Sequence, residues 1–73
     1  MITMNLGQVK AGMEVGIKSI PDGPAKIGLI RMGITEGTRV ICKLNIPSGP
    51  VVLRYNRHEV AIGRKLAESI TVE

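Results

Sequence analysis

The sequence predicts a small all-β barrel carrying one short helix, and three observations predict it. Nine glycines and four prolines recur every few residues along 73 positions, which cuts the chain into segments suited to short strands and tight turns. Several of those segments alternate apolar and polar residues at a period of two, the signature of a half-buried strand. The aromatic content is a single Tyr, with no Phe or Trp, so a core must be assembled from Ile, Val, Leu, Met and Ala. This length allows one domain, expected over residues 1–73. Domains this small bury only about 60% of the surface their unfolded chain exposes, which demands a compact core.

The elements follow in order. Residues 5–10 read as a lead-in that ends in a turn at Ala11-Gly12. In segment 13–20, Val15 and Ile17 share one face, while Glu14 and Lys18 take the other. Pro21-Asp22-Gly23-Pro24 is the strongest turn signal in the chain, and it ends that strand because proline cannot donate to a ladder. A helix is expected over 24–32, with Pro24 at its first position and Gly33 at the residue that terminates it. At 100° per residue Ala25, Gly28, Leu29 and Met32 form its expected core face. Lys26 and Arg31 lie opposite, and Ile27 and Ile30 fall between those two charges, on the side expected to meet solvent.

Segment 38–46 is the clearest strand, with Val40, Cys42, Leu44 and Ile46 expected on one face and Arg39, Ile41, Lys43 and Asn45 on the other. Pro47-Ser48-Gly49-Pro50 stops it. Residues 51–55 and 59–62 read as a hairpin around Asn56-Arg57-His58, where Asn56 tolerates a left-handed conformation better than most residues. Residues 63–68 read as a single helical or 3₁₀ turn, and 69–72 as a last strand. About five short strands with one short α-helix make a strongly bent SH3-like barrel the economical fold.

Ten Lys and Arg against six Asp and Glu give a net charge of +4. Nucleic acid, an anionic membrane surface and an acidic protein face are the partner classes this charge admits. The basic residues are dispersed, with no run longer than two, which fits a solubilising surface. No apolar run reaches the roughly 18 residues of a membrane span. The N-terminal residues lack a basic patch followed by an apolar stretch, so no signal peptide is expected. One cysteine cannot close an internal disulfide, and a cytoplasmic location is expected.

Catalytic chemistry has little to stand on. The one histidine, His58, falls in the hairpin turn, and the one cysteine, Cys42, falls on the apolar face of its strand. Zinc takes four nitrogen or sulfur ligands in a structural site and three in a catalytic one, which one His and one Cys cannot supply. Neither a phosphate-binding Gly-x4-Gly-Lys-Ser/Thr loop nor a dinucleotide-binding glycine pattern occurs. The expectation is therefore no catalytic residue, no cofactor and no metal site within one chain, with a ligand shared between copies of a homo-oligomer left open. Tyr55, at the end of its strand, reads as a partly buried packing residue, with an interface anchor as the alternative. Single-strand nucleic-acid binders stack bases on aromatics, and Tyr55 is all this chain offers.

Taken together, several stretches carry a resemblance. Leu6 and Gly12 precede a strand bearing Val15, Ile17 and Ile20. Leu29-Ile30-Arg31-Met32-Gly33-Ile34-Thr35-Glu36-Gly37 precedes the next. Pro47-Ser48-Gly49-Pro50 leads the hairpin, and Ala61 to Val72 closes the chain. Over nearly its whole length the sequence resembles the FeoA family of ferrous iron transport proteins, whose SH3-like module also occurs at the C-terminus of some metal-dependent repressors. It departs from many relatives at Glu36, where they have Pro, and at Asn56-Arg57-His58, where they have Gly. The resemblance implies a cytosolic accessory protein that docks on a FeoB-type iron permease and modulates or scaffolds it. Lys26, Ile27, Ile30 and Arg31 are the candidate docking residues: an exposed apolar pair rimmed by charges has the anatomy of a small interface. The alternatives are a small basic barrel that binds nucleic acid and a freestanding interaction module like the repressor domain.

Overall fold

The computed structural model describes residues 4–73. The signal-peptide reading rests partly on residues 1–3, which lie outside them. The elements in order are β1 (Met4–Asn5), a 3₁₀ turn (Leu6–Gln8), β2 (Glu14–Ser19), α1 (Pro24–Arg31), β3 (Arg39–Asn45), β4 (Val51–Tyr55), β5 (His58–Ile62), α2 (Arg64–Ser69) and β6 (Thr71–Val72). Among the described residues the strands form one antiparallel sheet in the order β1-β6-β2-β3-β4-β5. The fold is the all-β SH3-like barrel. β1 overlaps the start of the predicted lead-in at Asn5 and adds a sixth, two-residue strand. α2 extends to six residues where a single turn was expected.

β2 belongs to both halves of the barrel. Its first residues pair with β3, Val15 opposite Val40, and its last pair with β6, Ile17 opposite Val72. The handover is at Gly16, which donates to the Glu73 carbonyl at 2.7 Å and accepts from the Glu73 N–H at 2.9 Å. Strand alternation then sends Val15, Ile17, Val40, Cys42, Val51, Leu53, Ile62 and Val72 into a single aliphatic core. Leu6, Val9, Ile34, Ala67 and Ile70 close its open ends. No polar side chain is buried among the described residues.

The apolar face expected on β3 is shorter than its alternation suggests. A bulge between Cys42 and Leu44 shifts the register against β4. An extra residue in one strand turns the side chains beyond it. Val40 and Cys42 are buried as expected, but Leu44 and Ile46 are turned to solvent, 51% and 44% exposed.

Candidate functional site

Helix α1 is held by its end more than by its flank. The Gly33 N–H donates to the Ile30 carbonyl and the Ile34 N–H to the Leu29 carbonyl, both at 2.9 Å. This is a Schellman closure, which needs a residue with positive φ; Gly33 supplies it at 86°. Leu29 and Ile34, the two residues such a closure brings together, are both buried. The predicted core face reduces to Leu29: Ala25 and Met32 are exposed and Gly28 is only half-buried. A helix this short, resting on one leucine and its C-terminal loop, leaves most of its surface uncovered.

Ile27 and Ile30 are 54% and 46% exposed. Three positions apart, they are neighbours on one helix face. Arg31 is exposed beside them and makes no ion pair among the described residues. Lys26 is placed differently from its sequence reading. Its Nζ lies 3.4 Å from Asp22 Oδ1 and 3.7 Å from Glu36 Oε2. Glu36 Oε2 also accepts the Ile20 N–H at 3.3 Å. Lys26 therefore ties the helix start to the loops on either side, while the apolar pair and Arg31 face solvent. Met32, exposed to the same degree as Ile30, extends the apolar surface toward β5. There Arg31, Met32, His58, Glu59 and Val60 line a groove of about 350 Å³.

The residues singled out for chemistry are apart from one another. Cys42 is fully buried; its Sγ faces the Val9 and Leu44 carbonyls at 3.8 and 3.6 Å, and burial pushes the thiol pKa up. His58 is exposed at the start of β5. Among the described residues no three His, Cys, Asp or Glu side chains gather to hold a metal ion. Tyr55 is half-buried, packs on the core and lies against Gly33, where a Cβ would stand 3.1 Å from its ring.

Sequence reasoning missed one polar cluster. The Arg64 guanidinium donates to the carbonyls of Gly49 and Gly7, each at 2.9 Å, of Ile46 at 2.6 Å, and to Asn45 Oδ1 at 2.5 Å. Asn45 Nδ2 donates to the Gly7 and Val9 carbonyls at 2.9 and 2.6 Å. With these donors committed to backbone carbonyls, the hollow beside them, lined also by Lys10 and Pro47, is a structural joint. A lone Arg after a glycine gives no sign of this in the sequence, because its partners lie 15 to 57 positions away.

The arrangement offers an apolar helix face beside a guanidinium that makes no ion pair among the described residues, a surface suited to docking on another protein. No helix among the described residues is long and apolar enough to cross a membrane. The chain matches the FeoA domain family over residues 4–73. It is similar to the crystal structure of an iron uptake regulatory protein (FeoA), at 25% identity and a TM-score of 0.84, covering 99% of this chain and 96% of that one. It is also similar to the solution structure of the FeoA protein from Chlorobium tepidum, at 30% identity and a TM-score of 0.83, covering 94% of this chain and 68% of that one. The crystal structure of ScaR with bound Cd2+ shares the fold at 19% identity and a TM-score of 0.77, with 96% of this chain matched to 35% of that one. No curated protein sequence matches the chain.

Proposed function

The chain belongs to the FeoA domain family, and on that premise we propose that it is an accessory protein of ferrous iron uptake. It docks on the cytosolic portion of a FeoB-type iron permease, which it scaffolds or modulates. It acts as one domain in the cytoplasm, meets the membrane only through the permease, and contributes no catalysis. Its similarity to an iron uptake regulatory protein (FeoA) supports the iron-uptake part of this reading.

The observation that carries the docking part is the exposure of Ile27 and Ile30 on a helix whose only buried residue is Leu29. Ile27 and Ile30 keep about half of their surface in water, which forgoes roughly 0.7–1.5 kcal/mol of burial apiece, so a partner that covers them gains apolar area at once. Arg31 supplies the polar rim, and Lys26 fixes the helix start through Asp22 and Glu36. Capture with the tagged protein from detergent-solubilised membranes tests the reading. Recovery of an iron permease supports it. Recovery of RNA that leaves as salt is raised, with no permease, overturns it in favour of nucleic-acid binding.

A further inference from the structure

Among the described residues the sheet order leaves β5 paired on one side only, with β4. A two-residue turn, Asn56-Arg57, joins the two strands, and Tyr55 faces His58 as the closing pair. In a hairpin of this kind the closing pair exchanges both hydrogen bonds and alternate pairs exchange none. Glu59, opposite Arg54, and Ala61, opposite Val52, belong to the second kind. Their N–H and C=O groups therefore point away from β4, along the open edge. Among the described residues neither makes a backbone hydrogen bond to any other segment.

This edge borders the groove of about 350 Å³ between β5 and the end of α1. Met32, 46% exposed, and half-buried Val60 give the groove its apolar part. The surroundings are cationic: Arg31, Arg54 and Arg57 are exposed and carry no ion pair among the described residues. The carboxylate at this edge, Glu59, is already held by Lys43 at 2.9 Å, an attachment that lowers its pKa. Proline-rich ligands need grooves lined by aromatics, which a chain with a single Tyr does not build.

We propose that the β5 edge is a strand-addition site for an extended, acidic segment of another protein. The guest pairs with the peptide groups of Glu59 and Ala61. Its apolar side chains lie on the Val60 face beside Met32, and its carboxylates take the other face, in the field of Arg54 one strand further in and of Arg57 in the turn, while Lys43 neutralises Glu59. The site is a different element from the helix face proposed to dock the permease, and Arg31 and Met32 border both.

The test titrates the full chain, isotope-labelled, with a blocked peptide alternating Val and Glu, and with the same peptide carrying Lys for Glu. The Glu peptide should shift the Glu59 and Ala61 amides most, slow their hydrogen exchange, and bind at least about tenfold tighter than the Lys peptide. Ala61→Pro removes an outward N–H while sparing the ladder to β4, a place where an edge strand tolerates proline. It should fold and bind the Glu peptide about tenfold more weakly, as loss of a main-chain bond demands. Should it fail to fold, Met32→Glu, at an exposed position, places a carboxylate in the groove and should weaken binding similarly. Equal binding of both peptides, shifts confined to α1, or full affinity in a folded Ala61→Pro would overturn the proposal. So would an edge protected without peptide in a protein of doubled mass, which would assign it to a second copy of the chain.

Discussion

Arg64 donates through Nη2 to the side-chain oxygen of Asn45 at 2.5 Å, and this pair ties together three segments distant in sequence. Asn45 reaches the 3₁₀ turn, and Arg64 reaches the same turn and the loop between β3 and β4. A lysine has no planar fork with which to serve carbonyls in several directions. Arg64→Lys should therefore destabilise the protein by about 1–3 kcal/mol, because carbonyls lose their donor. Thermal melts check this. An unchanged midpoint would show that water replaces the guanidinium without cost.

Gly33 is held to glycine twice, by its φ of 86° and by the Tyr55 ring. Gly33→Ala should cost about 1–2 kcal/mol for the left-handed backbone alone, with a further penalty for a Cβ set 3.1 Å from Tyr55 Cε2. The two parts separate in a double-mutant cycle with Tyr55→Leu, in which the penalty of the alanine should shrink. A cost that does not change in the Tyr55→Leu background would place it all in the backbone.

Cys42 should react slowly with a thiol reagent in the native protein and quickly after denaturation, because the side chain is fully buried. Cys42→Ser should cost about 1–3 kcal/mol, since it buries a hydroxyl in an aliphatic core. Burial raises the thiol above its ordinary value of 9.0. The unfolded chain then loses this proton first. The thiol's contribution to stability is thus full below that value and falls as pH rises through the higher folded one. Urea titrations across that range should show the decline in the parent protein and a smaller one in Cys42→Ala.

The barrel was legible because period-two alternation, Pro-Gly turns and an aliphatic composition all favour short, bent strands. The glycine at the helix end was legible for a similar reason, since a terminating turn with positive φ asks for that residue. Leu44 and Ile46 were misread because a bulge does not alter the alternation it interrupts; only the pairing of Leu44 with Val52 and of Asn45 with Val51 reveals it. The helix face was misread more deeply. A helical arc containing Met32 and Ala25 looks like a core stripe, yet the barrel offers only enough apolar surface to cover Leu29. Ile27 and Ile30 were read correctly as exposed, whereas Lys26 was read as rim when Asp22 and Glu36 hold it. The Arg64 joint and the open edge of β5 depend on contacts between remote segments, which one sequence does not encode locally.

The central claim is that the exposed face of α1 docks the protein on its permease, and a pair of variants tests it most directly. Leu29→Asp places an unpaired charge in the core and should unfold the protein. Ile30→Asp places the same charge at a position already 46% exposed. The measurement is binding of the folded Ile30→Asp protein to the cytosolic portion of the permease, with circular dichroism confirming the fold. The account predicts a native spectrum, a melting midpoint near that of the parent, and binding reduced by at least about tenfold, the loss expected of an interface anchor. A folded Ile30→Asp protein that binds as the parent does would contradict it and put the docking surface elsewhere on the barrel.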